Sequence, residues 1–206
     1  MFSGIIEAQS QVISSHAADQ VVRIEIQCPK GFRDLKIGDS ISTNGVCLTI
    51  EKFDEEKIQF CLGAETLKLL GSGFDLWKNY PVNLERSLRL SDRVHGHLVT
   101  GHVDSLVRVL KSFAVGECWQ LRIEIPDALI SFFWKKGSIC LNGVSLTVNE
   151  VQRKPSENWV EVCLIPETIQ KTNLKFYHEN QYLNLEADYL AKAYINSRAQ
   201  TEGPLL

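Results

Sequence analysis

A chain of 206 residues has room for one large globular domain or two domains of about 100 residues each, and its 44 % apolar and 23 % charged residues are typical of such domains. A formal net charge of −3 lacks the basic excess of general nucleic-acid binders, so we expect no nucleic-acid partner. No apolar run approaches the ~18 residues that span a bilayer, and the first residues do not form a signal-peptide pattern. We therefore expect no membrane segment and a cytoplasmic location.

Short stretches of alternating apolar and polar residues predict β-strands along the whole chain. In the first of them, Val22, Ile24 and Ile26 share one face. The clearest stretches are residues 21–27, 57–63, 81–85, 121–125, 159–165 and 182–186. Asn-Gly pairs at 44–45 and 142–143 predict tight hairpin turns, because both turn positions need a positive φ. Strands this short and this numerous favour small closed barrels.

Helix signals are few. Residues 126–137, which begin with a proline and end with a glycine, predict one short helix. Residues 65–70 predict one or two helical turns.

The strongest helix signal lies near the end of the chain, at residues 187–200, where Leu190, Ala193 and Tyr194 form one apolar stripe. Either self-association or packing against the chain itself would cover this stripe, and the periodicity favours neither. The last residues, 201–206, are expected to be disordered.

The six cysteines lie far apart and include no C-x-x-C pair, so neither a zinc ribbon nor a redox dithiol is indicated. Without an export signal, we expect them to be reduced thiols. His95, His97 and His102 fall within one short segment, but their spacing matches no zinc pattern. No metal site is therefore expected.

The sequence also repeats itself. The hexapeptide NGVCLT at 44–49 returns as NGVSLT at 142–147. Four other pairs occur in the same order: MFSGIIE with LVTGHVD, RIEI with RIEI, AET with PET, and NLE with NLE. All five pairs are separated by roughly 100 residues, which predicts two tandem copies of one domain-sized fold.

Differences between the two copies mark candidate chemistry. Cys47 stands opposite Ser145, and Ile5 stands opposite His102. Cys47 is a candidate nucleophile, with an inert buried thiol as the alternative, and His102 is a candidate acid or base, with a structural histidine as the alternative. The recurring Leu-Thr pairs reflect either β-propensity or a duplicated ligand site, and the recurrence of the whole set favours a ligand site.

Five separated motifs resemble riboflavin synthase of the α-chain type, which is a lumazine-binding double-barrel family. They cover Met1 to about Asp188 and read, in order, MFSGIIE, GDSISTNGVCLT, NLERSLRLSDRVHGHLVTGHVD, KGSICLNGVSLT and IPET. Small departures from the family pattern are Ser3 where Thr is common, His95 where Gly is common, and Glu167 where His is frequent.

The resemblance implies a mainly β fold of two tandem, similar six-stranded Greek-key β-barrels plus a C-terminal α-helix. The expected divisions are an N-terminal lumazine-binding barrel at 1–96, a C-terminal lumazine-binding barrel at 97–187, and an oligomerisation helix and tail at 188–206. The resemblance also implies a homotrimer without external cofactor or metal, whose active site lies between the N-terminal barrel of one subunit and the C-terminal barrel of its neighbour. Association with a lumazine synthase is left open.

The implied activity is the final step of riboflavin biosynthesis. Two molecules of 6,7-dimethyl-8-ribityllumazine exchange a four-carbon unit and yield riboflavin and 5-amino-6-ribitylamino-uracil. Carried onto this sequence, the resemblance assigns catalytic roles to Cys47, Ser40, His102, Ser145 and Asp188, with His102 as the hypothetical general base.

The resemblance also implies two pockets for the substrate. The N-terminal pocket would be lined by Phe2, Gly4, Ile5, Ile6, Cys47, Leu48, Thr49, Cys61, Leu62, Gly63, Ala64, Glu65 and Thr66. The C-terminal pocket would be lined by Gly101, His102, Val103, Lys136, Ser145, Leu146, Thr147, Cys163, Leu164, Ile165, Pro166, Glu167 and Thr168.

Two other functions compete with the enzyme. Lumazine-binding antenna proteins share the double-barrel fold, bind a lumazine or a flavin and catalyse nothing. A purely structural double barrel would bind neither compound. Both pockets look intact in this sequence and Cys47 is present, so the enzyme is favoured.

Overall fold

The computed structural model describes residues 1–202 of the chain, with side chains as far as residue 198, and this part is mainly β. Its strands are β1 (Ala8–Ser10), β2 (Val12–Ala18), β3 (Val21–Gln27), β4 (Ser40–Thr43), β5 (Val46–Phe53), β6 (Lys57–Leu62), β7 (Val82–Arg86), β8 (Ser105–Val115), β9 (Cys118–Glu124), β10 (Ser138–Leu141), β11 (Val144–Gln152), β12 (Trp159–Leu164) and β13 (Tyr182–Ala187). Its α-helices are α1 (Ala64–Leu70), α2 (Gly73–Asn79), α3 (Pro166–Lys171) and α4 (Tyr189–Glu202).

The first seven strands wrap into a six-stranded barrel, the first barrel. Their order in the sheet is β1-β7-β4-β5-β6-β3-β2, so β1 and β2 lie at its two ends. Only Gln11 separates β1 from β2 in the chain. The two are therefore halves of one bent strand, which pairs with β7 at one end and with β3 at the other.

The remaining strands form the second barrel, which is closed in the order β10-β11-β12-β9-β8-β13. In both barrels a three-strand meander pairs through its last strand with the opening hairpin, and the final strand returns beside the first strand of the meander. This is Greek-key topology. The expected pair of tandem six-stranded barrels is confirmed.

Each barrel encloses its own apolar core, built by the alternation seen in the sequence. In β6, Ile58, Phe60 and Leu62 are fully buried, whereas the residues between them are partly exposed. The equivalent strand β12 buries Val162 and Leu164 in the second core. Burying one such side chain stabilises the folded state by about 1.5–3 kcal/mol, so these strands hold their register firmly.

The two predicted hairpin turns meet between the barrels. All four turn residues have positive φ, with 47° at Asn44, 83° at Gly45, 45° at Asn142 and 81° at Gly143. A Cβ atom on Gly45 would lie 2.8 Å from the backbone nitrogen of Gly143, and a Cβ on Gly143 would lie equally close to that of Gly45. The turns therefore need glycine both for their own conformation and for their contact.

Buried asparagines fix this contact. The side-chain amide of Asn83 donates to the carbonyl of Asn142 (2.9 Å), and that of Asn184 donates to the carbonyl of Asn44 (2.8 Å). Asn173 has no partner in the repeat, and its amide donates to Oδ1 of Asn44 (2.9 Å). Because these groups are buried, the barrels separate only at the cost of exposing or orphaning them.

One sequence-based helix is wrong. Within residues 126–137 the structure has only a 3₁₀ turn, Ile130–Phe132. Phe133 leaves the turn with extended backbone and is fully buried in the second core. Lys136 then adopts a φ of 72°, which no helix accommodates. The need to bury Phe133 and to enter β10 overrides the proline and glycine signals.

Helix α4 is confirmed, and residues 201–202, which we expected to be disordered, belong to it, while 203–206 lie outside the described residues. Ala191 packs against the chain and is 8 % exposed. The predicted stripe faces away, since Leu190 is 63 % and Tyr194 is 61 % exposed. The helix thus docks on its own chain through one face and leaves the stripe uncovered.

Candidate active site

Two short segments with the same geometry precede the first strand of each copy. We call residues 2–6 the first lip and residues 99–103 the second lip. They pair through Phe2 and Val99, whose backbone groups exchange hydrogen bonds of 2.8 and 3.1 Å. Both side chains are fully buried and enclose Cys140 between the barrels.

A buried glutamate clamps the first lip. Glu85 accepts hydrogen bonds from the backbone N–H (2.7 Å) and hydroxyl (2.8 Å) of Ser3 through one oxygen, and from the N–H of Gly4 (2.9 Å) through the other. Burial raises the pKa of Glu85, and the bonds from Ser3 and Gly4 oppose that rise. The hydroxyl of Ser3 is therefore part of the clamp.

The second lip carries the same clamp. Glu186 accepts the N–H and hydroxyl of Thr100, both at 2.7 Å, and the N–H of Gly101 at 2.9 Å. Burial raises the pKa of Glu186 too. In the sequence the repeated NLE motif predicted only strands, and its glutamate proves to be the residue that shapes each lip.

Each lip lies against the opposite barrel. The carbonyl of Gly4 accepts the N–H of Ser145 (2.8 Å), and the carbonyl of Gly101 accepts the N–H of Cys47 (2.9 Å). Further along the first lip, Ile6 belongs to the core of the second barrel. The expected grouping of Gly4, Ile5 and Ile6 with Cys47 must therefore be exchanged, so that these residues join Ser145.

The second lip shows the same exchange. Val103, beyond Gly101 and His102, packs against the core of the first barrel. Gly101, His102 and Val103 therefore border the Cys47 side, although the sequence placed them in the pocket of Ser145.

The strands behind the lips divide their residues between two faces. Cys47, Thr49 and Cys61 lie on the outward face of the first barrel and are partly or fully exposed. Leu48 and Leu62, which we expected to line the pocket, are buried in the barrel core. Only their backbone groups are available to a ligand on the outward face.

The second barrel follows the same division. Ser145, Thr147 and Cys163 face outward, whereas Leu146 and Leu164 point into the core. The two pocket floors thus match, with a thiol in one and a hydroxyl in the other at the same register.

The remaining predicted site residues surround these floors. Ser40 is half-buried and pairs in register with Thr49 on the same face. Lys136 is exposed just before β10, and its N–H donates to Val148 (2.8 Å). Gly63, Ala64, Glu65 and Thr66 form the start of α1, as Ile165, Pro166, Glu167 and Thr168 form that of α3. These segments directly follow β6 and β12, whose outward faces carry Cys61 and Cys163.

His97 is a functional candidate that the sequence suggested only as part of a histidine cluster with no zinc pattern, and not as an acid or base. Its Nδ1 lies 2.7 Å from Oγ of Ser145, and its backbone N–H donates to the carbonyl of Ser3 (3.1 Å). Burial lowers the pKa of His97, and the negative charge of Asp188 partly opposes this effect. The imidazole is therefore neutral near neutral pH and suited to exchange a proton with the serine hydroxyl.

Asp188 connects this pair to helix α4. Its Oδ1 accepts the N–H of Leu190 (2.8 Å), and the residue thereby caps the helix. The other predicted histidine, His102, lies elsewhere. Its side chain is exposed on the second lip, one residue beyond the contact between Gly101 and Cys47.

A cavity of about 600 Å³ opens beside the first lip, which is within the usual range for small-molecule sites. Its lining includes Ser3 and Ile5 of the first lip, and Arg89 and His95 of the linker, which is the segment between β7 and the second lip. Within the described residues, no group of three or more His, Cys, Asp or Glu side chains is placed to hold a metal ion. No helix of that part is long and apolar enough to cross a bilayer.

Two Greek-key barrels with exchanged, identically clamped lips define a tandem double-barrel protein with a duplicated candidate site. The lumazine binding domain family matches the chain twice, at residues 3–87 and 100–188. Riboflavin synthases of Mycobacterium tuberculosis (strain ATCC 25618 / H37Rv), Actinobacillus pleuropneumoniae and Bacillus subtilis (strain 168) are 36 %, 34 % and 33 % identical to the chain. The matches cover 98 %, 93 % and 93 % of this chain and 100 %, 87 % and 87 % of those proteins. The chain therefore belongs to the riboflavin synthase family and is an enzyme of that transferase family.

Solved structures support the fold. LumP complexed with 6,7-dimethyl-8-(1'-D-ribityl) lumazine has a TM-score of 0.78 at 20 % identity, and LumP complexed with flavin mononucleotide has a TM-score of 0.76 at 21 % identity. Both alignments cover 91 % of this chain and 99 % of the LumP chain. At this identity the likeness concerns the fold alone.

Proposed function

We propose that the protein converts two molecules of 6,7-dimethyl-8-ribityllumazine into riboflavin and 5-amino-6-ribitylamino-uracil. One observation carries the proposal. The two lips and clamps are geometrically equivalent, but one lip meets a thiol, Cys47, and the other meets a hydroxyl paired with an imidazole, Ser145 and His97. Equal recognition with unequal chemistry suits a reaction in which one molecule donates a four-carbon unit to an identical molecule.

The reaction also suits a site that works by placement. Holding two substrate molecules together replaces a rare encounter in solution with a local event. The atoms of two lumazines equal those of the two products, so the transfer needs no oxidant, reductant or water overall.

We assign the proton chemistry to the outward face of the second barrel, which carries Ser145. The reaction begins when a proton leaves the C7 methyl group of the donor, and the resulting carbanion is stabilised by the ring. His97 is the favoured base, either directly or through Ser145, because its lowered pKa keeps the imidazole neutral. Asp188 stabilises the imidazolium that forms.

We assign the acceptor lumazine to the outward face of the first barrel, which carries Cys47. A nucleophile adds at C7 of this molecule, and either Cys47 or a water molecule fills that role. Ser40 and Thr49 lie on the same face and offer hydroxyls for recognition. Carbon–carbon bond formation and elimination then complete the transfer.

The proposed assembly is a homotrimer built through α4. The exposed side chains of Leu190 and Tyr194 support it, because an apolar stripe of this kind gains free energy when a second copy covers it. In this assembly the first barrel of one subunit faces the second barrel of its neighbour. A cytoplasmic location and an association with lumazine synthase stay predictions.

The rival function is that of a lumazine- or flavin-binding protein without turnover. The similar fold of LumP, which was solved in complex with the lumazine and with flavin mononucleotide, supports this alternative. Purified protein is mixed with the lumazine, and flavin absorbance is followed while the products are separated by chromatography. Riboflavin and the pyrimidine in equal amounts support the enzyme. Tight binding of the lumazine without riboflavin makes the protein a binding protein, and no binding makes the barrels purely structural.

Two histidine variants separate the candidate bases. His97→Gln should lower turnover by about 100-fold or more, the usual contribution of a positioned acid–base group. His102→Gln with undiminished turnover would remove His102 from the proton chemistry. His16→Gln is the matched control, because His16 is exposed on β2.

A further inference from the structure

The carboxylates that follow the two lips, Glu7 and Asp104, occupy equivalent positions. Oε1 of Glu7 accepts the backbone N–H of Arg86 (2.7 Å), and Oδ2 of Asp104 accepts that of Ala187 (2.8 Å). Each carboxylate therefore ties its lip to the end of a barrel strand, β7 or β13, in the same manner.

Their counter-charges come from different places. Glu7 pairs with the guanidinium of Arg86, which belongs to the first barrel and also pairs with Asp34. Asp104 pairs instead with Lys192 of helix α4, whose Nζ lies 2.9 and 3.1 Å from its two oxygens. The charge of Glu7 is neutralised by a residue of a barrel strand, whereas the charge of Asp104 is neutralised by a residue of helix α4.

The Lys192–Asp104 pair is shielded from solvent. Its side chains are 18 % and 20 % exposed, so water screens the attraction less than in an exposed pair. Removing one partner of such a pair leaves the other poorly solvated and without its counter-charge. A displacement of α4 would therefore weaken the ion pair of Asp104 with Lys192 directly.

Asp104 lies three residues from Gly101, whose carbonyl holds the N–H of Cys47. A Cβ atom on Gly101 would lie 2.5 Å from Cβ of Cys47, which shows how closely the lip covers that residue. If Asp104 loses its counter-charge, the far end of the second lip keeps only its hydrogen bonds to β13, and Cys47 becomes more accessible.

We propose that Lys192 is a positioning residue that couples helix α4 to the second lip and so sets the geometry of the Cys47 side of the site. The chemical role of this side rests on the proposed function. The first lip has no such link, because Glu7 is held by Arg86. Contacts made by the exposed stripe of α4 then reach the Cys47 side through Lys192, whereas the Ser145 side meets the start of the same helix through Asp188.

The first experiment measures the lip without any substrate. Wild-type protein and the Lys192→Met variant are treated with iodoacetamide, and labelling of each cysteine is followed by peptide mass spectrometry. Labelling of Cys47 should be about tenfold faster in the variant, because loss of a shielded ion pair favours local opening. Labelling of Cys61 is the internal reference, and Lys192→Arg should restore the wild-type rate.

The control variant is Lys154→Met, since Lys154 pairs with Glu157 on the exposed surface. It should label like the wild type. If Lys192→Met does not fold, Asp104→Asn decides, because its amide oxygen still accepts the N–H of Ala187. Equal labelling of Cys47 in wild type and a folded variant overturns the proposal, as does a faster rate at Cys61 and Cys47 alike.

A second experiment connects the lip to the ligand. Lumazine binding is followed by fluorescence titration, and the wild type should show two classes of site. In Lys192→Met one class should weaken by about tenfold while the other keeps its affinity. Equal weakening of both classes overturns the coupling to one lip. If the wild type makes no riboflavin but Cys47 labelling still responds to Lys192, the proposed function fails and the coupling stands.

Discussion

Substituting Gly4 by alanine tests the exchanged lips directly. Gly4 has a φ of 75°, and a Cβ atom there would lie 2.6 Å from Cβ of Ser145 and 2.7 Å from its backbone nitrogen. These atoms belong to the opposite barrel and include backbone, so neither is free to turn away. The variant should therefore lose stability and displace the hydroxyl of Ser145 at once.

The expected loss has two parts. An alanine held in left-handed backbone conformation costs about 1–2 kcal/mol. Overpacking against Ser145 adds about 1–3 kcal/mol, since the bond from its N–H to the carbonyl of Gly4 must also stretch. The free energy of unfolding should thus fall by roughly 2–5 kcal/mol in total.

Gly116 provides the matched control. Its φ is 60°, in the hairpin turn between β8 and β9, and no atom lies within 4 Å of its hypothetical Cβ. In urea unfolding, Gly116→Ala should show only the conformational part, about 1–2 kcal/mol. In the riboflavin assay, Gly4→Ala should lose about 100-fold in turnover, because a shift of about 1 Å at a reacting group has that effect, whereas Gly116→Ala should keep its activity. Equal losses of stability in the two variants would show that the first lip does not press on Ser145.

Three further predictions follow from other contacts. Asp188→Asn removes the charge that raises the pKa of His97, so the pKa should fall further and the loss of turnover on acidification should move to lower pH; Glu85 and Glu186 are unchanged in both proteins, and an acid limb that stays in place or moves upward contradicts the assignment. Asn173→Ala leaves buried partners such as Oδ1 of Asn44 with one donor fewer and should lower the free energy of unfolding by about 1–3 kcal/mol in urea titration, whereas wild-type stability would show that the network is not held by Asn173. Tyr194→Glu places a charge in the exposed stripe of α4 and should reduce the mass measured by light scattering to that of a monomer, with Lys154→Met keeping the wild-type mass; an unchanged mass would rule out assembly through this stripe.

Much of the fold was predictable because the signals were local. The alternation in residues 21–27 matches β3, and both Asn-Gly pairs form the expected turns. The helix predicted for residues 126–137 was wrong, because the position of Phe133 is set by its burial in the core of the second barrel. The local sequence pattern contains no signal for this burial. The structure of a segment can be predicted from its sequence when its own pattern of apolar residues determines which side is buried.

The site was only partly predictable, for two reasons. Comparing the copies located the Cys47 and Ser145 positions, but it could not show which barrel each lip covers, because an internal repeat is consistent with either arrangement. His97 and Lys192 lie outside the matched stretches, so a comparison between the copies cannot reach them. The roles proposed for them rest on contacts between distant segments, His97 with Ser145 and Lys192 with Asp104.

The exchange of the lips has a consequence for recombination between relatives. Because Gly4 and Ile6 complete the second barrel while Gly101 and Val103 complete the first, a crossover in the linker would give a chimera in which both floors meet foreign covers. A transplant that preserves one binding surface must carry a barrel together with the leading segment of the other copy. The residues that would have to be exchanged together are thus discontinuous in the sequence, although each barrel is formed by one continuous segment.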